Sequence, residues 1–195
     1  GRARAVARQR RMGAAGAHVI LSGRTADAME QSAALIAAAG GRATVVVGDI
    51  RRPSAVDELV AAALDADGHL DIFVNNAGVS YLGGVLDGNV EQWSEMLDIN
   101  VLSLLVGSTA AIAAMRSVGN RGHIVNVSSV AALRPDSGVY GATKHAVNAL
   151  TEQRERLLCV AALVARVPAR LPTVQKKNRC RRRQPNRSGN SPNKN

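Results

Sequence analysis

Residues 123 to 150 read His123-Ile-Val-Asn-Val-Ser-Ser-Val-Ala-Ala-Leu-Arg-Pro-Asp-Ser-Gly-Val-Tyr-Gly-Ala-Thr-Lys-His-Ala-Val-Asn-Ala-Leu150. His123 to Val127 is a short apolar, β-branched run bounded by Gly122 and two serines, the pattern of a buried parallel strand. A loop holding Arg134-Pro135-Asp136-Ser137-Gly138 follows, and from about Val139 the pattern is helical. Tyr140 and Lys144 are four apart on that helix, so they project from one face, one turn above the other. An ammonium so placed favours the ionised form of a phenol, because a nearby opposite charge stabilises it. Ser128 and Ser129 leave the strand at its carboxyl end, where open α/β sheets gather ligands. A tyrosine acid/base, a lysine to tune it and a serine hydroxyl to hold a carbonyl oxygen make a proton-transfer site.

Two further motifs lie upstream, Asn75-Asn76-Ala77-Gly78 after an apolar strand pattern and Asp98-Ile99-Asn100-Val101 inside a long helical one. Together with Val125-Asn-Val-Ser-Ser129 and Tyr140-Gly-Ala-Thr-Lys144 they resemble the short-chain dehydrogenase/reductase family, from about Gly16 to about Gln153. Four motifs in order are a specific signal where any one is not. The resemblance implies a nicotinamide-dependent oxidoreductase on a doubly wound parallel sheet, acting on a small-molecule carbonyl or alcohol. It implies that Tyr140 is the acid/base and that Lys144 lowers its pKa and holds the nicotinamide ribose. Ser129 positions the substrate oxygen, and Asn100 binds, through its backbone, a water linking Lys144 to solvent. Asn76, Ala77 and Gly78 line the cofactor, and Asp49, with Ile50 beside it, meets the adenine. Ser129 lies eleven residues before Tyr140, a shorter loop than the family usually has, and Ser128 and Ser137 remain alternatives.

The intervening elements fit an alternating α/β chain. Asp27 to Ala39 has helical apolar spacing and stops at Gly40-Gly41, Ala43 to Val47 reads as a strand, and Ser54 opens a helix to about Asp65. Leu70 to Val74 is the next strand, and Glu91 to about Met115 is a long amphipathic helix in which Asn100 is out of place on propensity alone. Ser22-Gly23-Arg24 ends the strand pattern that starts near Gly16. A strand end with an arginine and no acid suits a 2′-phosphate better than a free ribose hydroxyl, so NADP is favoured over NAD.

The amino terminus departs from the resembled pattern. Arg-rich residues 2 to 12 read as a helix, the first strand is not recognisable, and only Gly1-Arg2-Ala3 matches the end of the glycine-rich loop, with Ala3 replacing its last glycine. Gly1 is thus the remaining candidate for the pyrophosphate. Because that loop binds through backbone N–H groups and needs glycine for close approach, its erosion predicts weak or no cofactor binding. The chain reads as a fragment or a damaged copy.

Agreement also ends near Gln153. Pro168 and Pro172 break the last helical pattern, and from Gln175 the chain is polar and basic without apolar spacing, which predicts a disordered tail. The expected organisation is a partial dinucleotide-binding oxidoreductase domain over 1–174 and a basic disordered tail over 175–195, with the last two strands not recognisable. A loss of pattern inside a helix followed by an arginine-rich tail reads as a shifted frame or a premature end.

The 195 residues carry 25 basic and 15 acidic side chains, a net charge of +10, and 46% of them are hydrophobic but only 2% aromatic. That is enough for one domain with a core of small side chains. The basic excess sits at the two ends, so specific nucleic-acid binding is not expected. Cys159 and Cys180 form no framework, and the four histidines show no ligand spacing, which argues against a disulfide scaffold and a metal site. With no apolar run taken as long enough for a bilayer and no secretory signal, the expectation is a cytoplasmic protein without membrane association. Helices 91–115 and 139–165 carry apolar faces suited to a homo-oligomer. The alternatives are an inactive remnant that pairs with an intact homologue, and a protein that binds nucleic acid or anionic lipid through its tail.

Overall fold

A computed structural model describes residues 2–81, 88–134 and 136–158, with side chains for 5–81, 88–134 and 136–152. Gly1, Pro135, Cys159, Cys180, residues 159–165 of the last helical pattern and the 175–195 tail lie outside them. Four parallel strands organise the rest as two pairs. β1 (His18–Gly23) runs beside β2 (Arg42–Val47), with His18 opposite Arg42 and Gly23 opposite Val47. β3 (Ile72–Asn75) runs beside β4 (His123–Asn126), with Ile72 opposite His123.

Helices connect the strands. α1 (Arg2–Ala14) precedes β1, α2 (Ala26–Ala37) joins β1 to β2, and α3 (Pro53–Asp67) leads to β3. Pro53 occupies the first turn of α3, where its missing N–H costs nothing. Gly68 ends that helix at φ 74°, a left-handed conformation that glycine adopts without a Cβ penalty. Between β3 and β4 lie α4 (Val90–Leu97), a π-helical turn (Asp98–Leu102) and α5 (Ser103–Ser117). After β4 a 3₁₀ turn (Val130–Leu133) leads into α6 (Gly138–Leu158).

The expected doubly wound sheet is present as two pairs, and no backbone ladder joins β1 to β3 among the described residues. The arginine-rich stretch before β1 is helix rather than strand. Each pair has its own core. Val19, Leu21 and Ile36 form one, packed by Met12, Met29 and Val45; Val60, Phe73, Ala111, Met115 and Ile124 form the other. α3 spans both halves, touching β1 and β2 as well as α5.

The expectation about membrane spans needs correction. Val90–Ser117 is a continuous helical run of 28 residues, long and apolar enough to cross a bilayer by length and composition. Its apolar side chains are used in the core: Met96, Ile99, Leu104, Ala111 and Met115 are buried in packing that involves α3, α6 and β3.

Candidate active site

Around the carboxyl ends of β3 and β4, polar side chains link residues of all four motifs. Asn75, at the tip of β3, donates from its amide to Asn126 Oδ1 on β4 (2.8 Å) and to Ser108 Oγ on α5 (2.8 Å), so it ties strand to strand and sheet to helix. Asn126 in turn donates to Thr151 Oγ1 of α6 at 2.9 Å. A chain of amides and hydroxyls thus runs from α5 through both strands to α6, and each bond satisfies a group that burial would otherwise penalise.

Asn100 sits in the π-helical turn and is 1% exposed. Its Oδ1 accepts from the Val79 N–H (2.9 Å), and its Nδ2 donates to the Val79 carbonyl (2.9 Å) and to Thr143 Oγ1 (3.0 Å). The side chain therefore clamps the loop after β3 to the helix that carries Tyr140 and Lys144. The sequence-based role assigned Asn100 a water held by its backbone; the amide clamp is a further role. The polar Asp98 and Asn100 inside an otherwise apolar helix were the available signal for the π turn, a feature that recurs at functional sites.

Lys144 is 5% exposed, and its ammonium donates to the Val127 carbonyl at 3.0 Å. Burial pushes its pKa below the ordinary lysine value. Gly78 lies directly over this group: a Cβ there would stand 3.2 Å from Asn100 Oδ1 and 3.3 Å from Lys144 Nζ. The last residue of Asn75-Asn76-Ala77-Gly78 is therefore small because backbone passes close to the lysine. Asn76, Ala77 and Gly78 are exposed, so that backbone is open to a ligand.

The serines are placed differently from one another. Ser128 Oγ donates to the Lys144 carbonyl (3.1 Å), locking strand end to helix, whereas Ser129 Oγ accepts from the Ala131 N–H (3.2 Å) and caps the 3₁₀ turn. That turn rests against α6, where a Cβ on Gly141 would come within 2.9 Å of the Ala131 carbonyl and 2.5 Å of Ser137 Cβ. Gly141 thus lets the serine-bearing turn approach the residue next to Tyr140. Tyr140 is half-buried, and its hydroxyl hydrogen-bonds to none of Ser128, Ser129 and Lys144. The structure brings Asn100, Gly78 and Lys144 into contact range and puts Ser129 and Tyr140 on adjoining segments without joining them. Thr143, 1% exposed, was missed: its hydroxyl donates to the Tyr140 carbonyl (2.8 Å) while accepting from Asn100.

A second polar region lies at the carboxyl ends of β1 and β2. An open cleft of about 310 Å³ is lined by Arg24, Val47, Gly48, Asp49 and Arg52. Both oxygens of Asp49 are taken by Arg51, whose Nε donates at 3.0 and 2.9 Å and whose Nη2 donates to Oδ2. This guanidinium lowers the Asp49 pKa to about 2. The Asp49 carboxylate, expected beside the adenine, lines the cleft and is paired with Arg51. Ile50 is half-buried beside it. Arg24 reaches Glu95 of α4 at 4.0 Å, and Glu95 also accepts from the Tyr81 hydroxyl.

The guanidiniums that line the cleft and the buried Lys144 ammonium under exposed backbone are donors that could hold a nicotinamide dinucleotide. Gly1, expected at the pyrophosphate, falls outside the described residues.

Comparison with known proteins agrees with this geometry. The family model described as short chain dehydrogenase matches residues 2–163. An uncharacterised oxidoreductase of Staphylococcus epidermidis is 36% identical over 145 residues, covering 73% of this chain and 61% of its own length. The chain therefore spans about three fifths of that curated relative. A metagenomic short-chain oxidoreductase solved in complex with NADP is similar at a TM-score of 0.73 and 30% identity, over 82% of this chain and 74% of the other. An alcohol dehydrogenase of the archaeon Thermococcus sibiricus, complexed with 5-hydroxy-NADP, is similar at a TM-score of 0.74 and 25% identity, over 84% and 70%. The ordered motifs, the Rossmann-like α/β elements and these matches place the chain in the short-chain dehydrogenase family.

Proposed function

We propose that the chain is the catalytic part of an NADP-dependent oxidoreductase that interconverts a small carbonyl compound and its alcohol. The observation that carries this reading is the buried Lys144 ammonium, held by the Val127 carbonyl beneath Gly78 and beside the Asn100 amide. Burying a cation with so few partners is costly, so a purely structural site would favour an apolar residue there. The nicotinamide supplies or accepts the hydride. Tyr140 gives a proton to, or takes one from, the substrate oxygen, and Ser129 turns its hydroxyl to that oxygen when one is present. Lys144 holds the ribose and keeps positive charge near the phenol, while Asn100 and Thr143 keep the loop after β3 and the Tyr140 helix in register. Arg24 at the end of β1 meets the 2′-phosphate.

The test is turnover with NADPH and NADH against a panel of aldehydes, ketones and alcohols, run beside Tyr140→Phe. Activity with NADPH that falls at least 100-fold in the variant, with folding unchanged, supports the assignment. Activity unaffected by Tyr140→Phe refutes it.

The split into two strand pairs favours a second reading, in which the chain turns nothing over and associates with an intact homologue. Leu97 just before the π turn and Leu102 at its end, each about half exposed, give the helices an apolar face for that contact or for a homo-oligomer. Co-purification with a full-length relative, in the absence of turnover, separates this reading from the first.

A further inference from the structure

The cleft at the ends of β1 and β2 is lined by two guanidiniums, Arg24 and Arg52, and a third, Arg51, pairs with its carboxylate. Arg51 is committed to Asp49 through Nε and Nη2, which also neutralises the acid in the cleft. Arg24 is exposed but faces Glu95 at 4.0 Å, and Glu95 is already an acceptor for Tyr81. Arg52 lines the cleft, is exposed, and makes no salt bridge among the described residues. It occupies the N-cap position of α3, where a guanidinium has no acceptor to offer the free N–H groups of the first turn, so capping does not account for an arginine there. Arg52 is thus an uncommitted cation in a cleft whose one carboxylate is already paired.

We propose that Arg52 is a specificity-determining residue that binds the 2′-phosphate of an adenosine ligand together with Arg24, with Glu95 competing for Arg24. This deepens the NADP reading above and rests on it. A phosphate with two negative charges is a better partner for Arg24 than a carboxylate shared with Tyr81, so the ligand draws Arg24 from Glu95 towards Arg52. Two guanidiniums on one phosphate make the preference for the phosphorylated ribose stronger than one arginine alone provides.

Isothermal titration with adenosine 2′-monophosphate and with adenosine tests this without involving a pyrophosphate site or turnover. The expected result is tighter binding of the 2′-phosphate compound, weakened about tenfold by Arg52→Gln and by Arg24→Gln, with adenosine affinity unchanged. Glu95→Gln tightens the 2′-phosphate compound a few-fold, by freeing Arg24. Arg42→Gln, which removes a guanidinium paired to Asp67 away from this cleft, leaves both affinities alone and so controls for net charge. A loss in Arg24→Gln without one in Arg52→Gln overturns the proposal and leaves the NADP reading standing. Equal losses in Arg42→Gln overturn it as a general charge effect. Equal affinity of the wild type for the two compounds overturns both the proposal and the NADP reading.

Discussion

Replacing Asn100 by leucine keeps the branched shape of the side chain and removes the clamp between the loop after β3 and α6. Three hydrogen bonds disappear, two to the Val79 backbone and one to Thr143, and the residue is 1% exposed, so water does not replace it directly. At about 1 kcal/mol net for each bond the variant loses about 3 kcal/mol, towards about 2 because water reaches the half-buried Val79 groups. For a domain of this size that lowers Tm by roughly 4 to 12 °C. Thr143→Val removes the bond from Asn100 and the one to the Tyr140 carbonyl, so it costs about 2 kcal/mol. The two variants share one bond, so the double variant loses about 1 kcal/mol less than independent effects would give. Urea denaturation followed by circular dichroism measures all four corners, with a constant m-value as the check that the unfolded state has not changed. If Asn100→Leu costs less than about 1 kcal/mol, or if the pair is additive within about 0.3 kcal/mol, the clamp is not what holds the loop to the helix.

Lys144→Met should be at least as stable as the parent at neutral pH, because it removes a buried cation. Since burial lowers the Lys144 pKa from 10.5, the parent gains stability as pH rises through the window between the depressed value and 10.5; the two melting curves should converge there, and a constant offset refutes this. Gly141→Ala forces its Cβ to 2.5 Å from Ser137 Cβ and should cost about 1 to 3 kcal/mol in chemical denaturation while displacing the serine turn. The Asp67 carboxylate, bound by His18 first and by Arg42 second, has a pKa below 3.8, so its contribution is present above 3.8 and is lost as pH falls below it. Asp67→Asn should therefore flatten the acid limb of the Tm profile, and an unchanged limb rules that contribution out.

The sequence was most legible where one residue type does one job in fixed spacing. Tyr140 and Lys144 four apart, small residues after β3 and a serine pair after β4 were enough to mark the candidate region, because strand and helix periods fix which side chains share a face. Strand positions followed from β-branched runs, and the idea that an Asn75 amide ties neighbouring strands is realised in its bond to Asn126. What was not legible depends on contacts between residues far apart in the chain. Nothing near Arg24 points to Glu95, 71 positions on. His18 lies between Asp67 (2.6 Å) and Thr44 (2.9 Å), and no spacing rule predicts that trio. Thr143 escaped notice because a threonine beside a motif lysine looks like helix filler until its partners are known.

The two strand pairs also explain why the site half and the cleft half can be judged separately. Lys144, Asn100 and the serines depend on β3, β4, α5 and α6, whose core is the cluster around Phe73, Met115 and Ile124. Arg24, Asp49 and Arg52 depend on β1 and β2, whose core is the smaller cluster around Leu21 and Ile36. Without a ladder between β1 and β3, the described links between halves are helical packing through α3 and the polar contacts of Glu95. Val60 of α3 is buried in the Phe73 cluster, while Arg52 at the start of the same helix lines the cleft. A ligand that grips Arg52 and Arg24 therefore acts on both links at once: it anchors the start of α3 and releases Glu95 from Arg24. Among the described residues no strand ladder joins the two halves, so α3 and Glu95 are the contacts through which a bound adenosine phosphate would act on the half that holds Lys144.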